Sequence, residues 1–189
     1  MASTSKIRQT VLKNAGVQFQ IHDPAIEETS EHNNGASPRD IAITLARQKS
    51  EKVSANYSET LCIGADQTLD LAGQLFNKPG SKAAARTQLL ALRNKIHYLN
   101  SAISCSMAGK EIWNHCATAE LKMRDFSAEF LETYLNDDID SYVSSVGGYK
   151  IEGPGIQLFE KISGDYFTIL GLPLLPLLEF LRQRHIVDS

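Results

Sequence analysis

The sequence predicts an α/β fold, and three observations carry that prediction. Helical and strand patterns intermix along the chain instead of segregating into blocks. Serines stand ahead of several helical patterns as caps, while small-residue dipeptides such as Ala72-Gly73 break the strand patterns. The 189 residues, 42% apolar and 22% charged, are enough for one domain over 1–189 with a substantial core.

Taken in order, Ser5 precedes a helical pattern in which Ile7, Val11, Leu12 and Ala15 share a face, stopped by Gly16. "VQFQIH" alternates as a strand would, and "EETSEHNNGAS" reads as a surface loop. Ser37 caps a helix with Pro38 at its first position; Ile41, Ala42, Leu45 and Ala46 form its buried face to about Val53. A strand over 61–65 delivers Asp66 at its mouth, and a hairpin follows at Ala72-Gly73. Ser81 caps the helix "AAARTQLLAL". Residues 96–116 form two strands joined at Ala108-Gly109-Lys110, "AELKMRDF" forms another, and Ser127 caps "AEFLETYL". Residues 147–167 are punctuated by glycine, and 174–184 close the chain as a helix.

Composition excludes several classes. A formal net charge of -3 gives no basic field for a nucleic acid duplex. The best apolar run, 169–178, holds two prolines, which argues against a membrane span. Polar residues follow Met1 at once, so no secretory leader is expected and the cytoplasm is the expected compartment. Cys62, Cys105 and Cys116 lack metal-ligand spacing and read as reduced thiols.

Four positions invite a chemical reading. Asp66 follows small residues where a ligand could approach the backbone, although an aspartate there also caps turns. Lys78 precedes Pro79, whose ring holds the backbone extended and aims the side chain; a solvated lysine is the plain alternative. Lys49 sits on or beside the buried stripe of its helix, where snorkelling also explains it. Ser3, Thr4, Ser5 and Arg8 place hydroxyls and a cation at a helix entry, which suits an anion as well as a cap. One acid with two lysines and an arginine is the set a triphosphate needs.

"ASTSKIR", "PAIEET", "LARQKS", "IGADQTL", "NKPGS" and "EGPGIQLFEKISGDYFTILGLPL" follow in the order and spacing of the Maf proteins. The chain resembles that family from residue 2 to about 182. The resemblance implies a two-lobed fold like that of inosine triphosphate pyrophosphatases, a long mixed sheet flanked by helices around a deep central cleft. It implies a nucleoside triphosphate pyrophosphatase, also described as a septum-formation inhibitor, that attacks the α-phosphorus with water to give a monophosphate and pyrophosphate. By the same resemblance Asp66 is the catalytic acid, and Ser3, Ser5, Arg8, Lys49 and Lys78 bind the substrate. The resemblance further implies that Glu28 and Asp66 hold a divalent cation (Mg2+, Mn2+ or Co2+), and that the protein forms a homodimer as family members often do. Family members place a short apolar strand before the serine motif, where this sequence has Met1 alone: either the start is misassigned, or the sheet has lost a strand, which would leave the Ser5–Arg8 segment less firmly held and weaken catalysis.

Three positions separate the family's branches. Gln67 and Glu152 are of the 7-methyl-GTP kind, and the dTTP/UTP branch carries Thr and Gln there. A carboxylate can take both donors of guanine's pairing edge. Ile7 departs, since the methyl-GTP branch has Trp and the pyrimidine branch Arg; without the ring a cation–π contact of about 0.5–2 kcal/mol is missing. The expectation is therefore a 7-methyl-GTP-like substrate, with a dTTP/UTP pyrophosphatase, a strict inosine triphosphate pyrophosphatase and a nucleotide-binding regulator of cell division as the alternatives.

Overall fold

The computed structural model of the chain describes residues 1–27, 35–137 and 144–188. Helix α1, Lys6–Asn14, buries Val11 and Leu12 and ends where Gly16 turns left-handed (φ 76°). Helix α2, Pro38–Ser54, begins as the sequence predicts: Ser37 Oγ accepts the Asp40 N–H at 3.2 Å, with proline in the first turn. Its buried face carries Ile41, Ala42, Leu45, Ala46 and Val53, and also Lys49 and Ser50.

Strand β1, Cys62–Leu71, turns through Ala72 and Gly73, both at positive φ, into β2, Gln74–Phe76. Two left-handed residues match the twist of a tight hairpin, and the register pairs Leu71 with Gln74 and Leu69 with Phe76. Helix α3, Lys82–Leu92, is capped by Ser81. Strands β3, Ile96–Met107, and β4, Lys110–Met123, are joined by the same device at Ala108 and Gly109. Helix α4, Ala128–Asp137, is capped by Ser127, whose Oγ accepts the Phe130 N–H. Two short 3-10 turns, Val146–Gly148 and Pro154–Leu158, precede β5, Phe159–Ser163, which pairs antiparallel with β4. A four-residue helix α5, Tyr166–Ile169, and α6, Leu174–Gln183, complete the described chain. The result is a mixed α/β fold whose five strands run in the order β2-β1-β3-β4-β5.

The chain divides into two compact units. The first comprises 1–67, 100–118 and 165–189; the second comprises 68–99 and 119–164. In the first, Ala42 and Ala46 of α2 pack with Ala102 of β3, and Ala2, Val53 and Cys62 form a second cluster. In the second, Leu89, Leu92, Leu99, Leu121 and Leu131 are fully or almost fully buried.

Three expectations change. Residues 17–22 form no strand: alternation supplies a side-chain pattern, but the segment is held by isolated bonds, with Met1 accepting from His22 N–H at 2.9 Å and donating to Gln20 O at 2.5 Å. Residues 110–123 are one strand, not two. Asp66 lies inside β1, not at its mouth, because β1 runs on through the largely polar residues 66–70 to Leu71, with residues 69–71 paired to β2 and β3 as its other neighbour in the sheet. Of the expected surface loop, 28–34 lies outside the described residues. Among the described residues no helix is long and apolar enough to cross a membrane, and Cys62, Cys105 and Cys116 are free thiols.

Candidate active site

The first unit brings an acid and a base together in its interior. Lys49 Nζ stands 2.5 Å from Asp66 Oδ1, with both residues under 10% exposed. Lys49 therefore does not snorkel to solvent. Taking two charges out of water is expensive, and an interior ion pair persists only in good geometry. That geometry comes from Gly64. A Cβ there would lie 2.2 Å from Ala46 O and 2.6 Å from Ser50 N, so the α2 backbone rests directly on β1. The small residue is there for a helix to approach, where the sequence left room for a ligand. Lys49 lies between Ala46 and Ser50, and this contact carries it over Asp66. Ser50 adds hydrogen bonds to Ser104 at 2.8 Å and Ser106 at 2.7 Å, tying α2 to β3.

Arg8 is fixed beside this pair. Its Nη1 donates to Ala65 O and its Nε to Gly171 O, each at 2.8 Å. Gly171 adopts φ 87°, a conformation that favours glycine, and a Cβ there would come 3.2 Å from Arg8 Nε. The two bonds orient the guanidinium against the backbone of the residue preceding Asp66. The Met1–Arg8 segment is further anchored by Ala2 N–H to Ile63 O at 2.7 Å, in a parallel bridge with Gly64, and by Gln9 Nε2 to Ser3 O. Ser3 is buried, and its Oγ accepts the Ser5 N–H at 3.3 Å. Ser5 occupies the N-cap of α1, yet its side chain makes no capping bond. The hydroxyl and the first amides of α1 thus form an anion-receptive end.

Gln67 has a settled orientation. Its Nε2 donates to Ser101 Oγ at 2.9 Å, Thr168 O at 3.1 Å and Ile169 O at 2.9 Å. Backbone carbonyls only accept, so the amide nitrogen must face them and Oε1 is left as an acceptor. Asp165 caps α5 through the Thr168 N–H at 2.8 Å and so steadies this network. Ile7 lines an apolar pocket of about 370 Å3 with Val11, Phe167, Leu170 and Leu174.

Lys78 and Glu152 belong to the second unit, where both are exposed. Glu28 lies outside the described residues. Among the described residues no three or more His, Cys, Asp or Glu side chains group as a metal site. A hard divalent cation needs only one or two carboxylates when phosphate oxygens and water complete its shell, so Asp66 fits as a protein ligand.

Ser101, Thr168 and Gly171 escaped the reading of the sequence as site residues. Each holds a neighbour in place instead of presenting a reactive group. For Thr168 and Gly171 the signal was the run "GDYFTILGLPL"; Ser101 lay within an ordinary strand pattern.

A family model described as Maf-like protein matches residues 1–184. The chain is 46% identical over 193 aligned positions to the 7-methyl-GTP pyrophosphatase of Brucella abortus biovar 1 (strain 9-941), covering 100% of this chain and 97% of that protein. It is 45% identical over 192 positions to the nucleoside triphosphate pyrophosphatase of Bradyrhizobium diazoefficiens, covering 99% and 94%. With the nucleoside triphosphate pyrophosphatase of Caulobacter vibrioides it shares 47% over 186 positions, covering 96% and 93%. Likeness to these proteins and to the family model over nearly its whole length makes this chain a member of the Maf-like protein family.

Proposed function

We propose that the chain is a nucleoside triphosphate pyrophosphatase that converts a 7-methyl-GTP-like substrate to the monophosphate and pyrophosphate. The observation that carries this reading is the Asp66–Lys49 pair at 2.5 Å, set beside Arg8 and the Ser5 end of α1. Relatives bearing the two pyrophosphatase names support it.

The chemistry divides among the chain's own groups. Aspartate is a weak base at neutral pH, so Asp66 orients the attacking water and takes its proton as the bond to phosphorus forms. Lys49 holds that carboxylate in one orientation and lends positive charge as the transition state gathers negative charge. Arg8 and Ser5 receive phosphate oxygens, and Lys78 is proposed as a further phosphate ligand. A divalent cation, when bound, screens phosphate charge and polarises the phosphorus; Asp66 would hold it, with Glu28 as the second candidate. The free thiols suit a reducing compartment, in keeping with a cytoplasmic enzyme.

For the base, Glu152 offers only acceptors. Gln67, with its nitrogen committed elsewhere, does the same. Guanine's pairing edge has two adjacent donors, whereas uracil and thymine place one donor between two acceptors. The hydrogen-bond signs therefore favour a guanine-type base.

A panel of 7-methyl-GTP, GTP, UTP, dTTP, ITP and XTP with Mg2+, Mn2+ and Co2+ tests the reading, with pyrophosphate detected as phosphate after added pyrophosphatase. 7-Methyl-GTP is expected to give the highest kcat/KM. A pyrimidine triphosphate preferred about tenfold, equal to about 1.4 kcal/mol, would overturn the base assignment. Nucleotide binding with no product would leave a regulator in place of an enzyme.

A further inference from the structure

His97 and Tyr149 take no part in the chemistry above, yet they form the most polar point of the second unit's core. His97, on β3, is fully buried. Its Nε2 lies 2.7 Å from Tyr149 Oη, while Nδ1 has no hydrogen-bond partner. One proton bridges this contact, and whether the imidazole or the phenol donates it follows the imidazole tautomer. Phe159 closes the group, meeting the Tyr149 ring edge-on at 4.8 Å. Apolar rings would fill this space without any desolvation cost. What the polar pair adds is a fixed position for Tyr149 along its own axis.

That position is reinforced from every side. Ser145 Oγ donates to Tyr149 O at 2.6 Å, and Tyr134 Oη donates to Gly148 O at 3.0 Å. Gly147, at φ 76°, admits the ring, since a Cβ there would lie 2.7 Å from Tyr149 Cε1. Three residues on, the chain exposes Glu152 in a turn. Gly155 then returns against Lys150, where a Cβ would lie 2.5 Å from Lys150 O. The turn bearing Glu152 is thus pinned at Tyr149 before it and at the Lys150–Gly155 contact across its base.

We propose that His97 and Tyr149 are positioning residues for Glu152, and through it set the discrimination between nucleobases. The proposal rests on Glu152 reading the base, as given under Proposed function. It is tested by a double-mutant cycle on the ratio of kcat/KM for 7-methyl-GTP over UTP, with Tm measured in parallel. Tyr149→Phe is expected to lower the ratio about fivefold, through KM for 7-methyl-GTP and with kcat little changed. In the Glu152→Gln background it is expected to have no further effect on the ratio. His97→Gln, whose amide can donate to or accept from the phenol, is expected to retain the ratio, and His97→Leu to lose it; this second pair carries the test if Tyr149→Phe folds poorly. A ratio that survives Tyr149→Phe and His97→Leu while Glu152→Gln lowers it overturns the proposal and leaves the Glu152 reading standing. An equal loss with and without the Glu152 carboxylate also overturns it. If Glu152→Gln leaves the ratio unchanged, both fall.

Discussion

Lys49 and Asp66 share one interior site but do different work, so removing each has a different consequence. Asp66→Asn keeps the shape and can still accept a hydrogen bond from Lys49, so the fold should survive while proton transfer does not. Turnover of 7-methyl-GTP is expected to fall by about 10^2 to 10^4, the usual contribution of a positioned base. Full turnover in this variant would remove Asp66 from the mechanism. Lys49→Met instead takes the countercharge from a buried carboxylate, a change that costs about 3–5 kcal/mol in comparable interior pairs. Urea unfolding of Lys49→Met and Asp66→Asn side by side reads that cost, and an unchanged midpoint for Lys49→Met would show that other partners satisfy the acid. The identity of both residues was legible from spacing and family likeness, but their contact was not. Nothing in the sequence distance between 49 and 66 says that α2 lies on β1 at Gly64. Gln67 was harder still. The carbonyls that fix its amide belong to Thr168 and Ile169, about a hundred residues downstream.

At the scale of elements, the crossing of α2 over β1 decides whether the pair forms at all. Gly64→Ala places a methyl where only 2.2 Å separates the would-be Cβ from Ala46 O, and the obstruction is helix backbone that no rotamer change relieves. The helix must lift, and Lys49 lifts with it. Overpacking of this kind costs about 1–3 kcal/mol, and a displacement near 1 Å at a reacting group can lower rate by about 10^2. A reduced Tm together with a kcat at least about tenfold lower is the expected outcome; wild-type kcat in a folded Gly64→Ala enzyme would sever the link between the crossing and the chemistry. The same scale shows what local sequence can specify. Ser37, Ser81 and Ser127 cap their helices as read, and Ala72-Gly73 and Ala108-Gly109 turn their hairpins, because those structures depend on residues a few positions apart. Strand extent was misread at three places. A strand exists through its neighbours, so the largely polar residues 66–70 continue β1 towards its pairing with β2, while among the described residues well-patterned 17–22 gains only bonds to Met1 and Leu12.

Two buried groups should give the stability of the whole molecule opposite slopes at its acid and alkaline ends. Burial lowers the His97 imidazole from 6.5 to about 4, so the folded chain keeps it neutral where the unfolded chain binds a proton. The stabilisation is complete above about 6.5 and is lost as pH falls towards about 4. That gap corresponds to about 3 kcal/mol. At the alkaline edge the sign reverses in pH. Burial, with the Glu111 carboxylate adding to it, raises the Cys105 thiol from 9.0 to about 12. Above about 9 the unfolded chain loses a proton that the folded chain retains, and stability declines until about 12. Between the two edges neither group contributes a slope. Native carboxylates also titrate in acid, so the wild-type curve alone does not isolate His97, but a comparison does. His97→Gln cannot bind the proton, and its Tm should fall less steeply between pH 6.5 and 4. For a chain of this size about 2–4 °C corresponds to each kcal/mol, so the two curves should converge by several degrees across that interval. Cys105→Ala should make the alkaline limb shallower, since burial also raises Cys62, Cys116 and Tyr149 and these still contribute, and it should leave the acid limb unchanged. Parallel curves for wild type and His97→Gln would mean that the imidazole titrates alike in the folded and unfolded chains, which full burial beside Tyr149 and Phe159 does not permit.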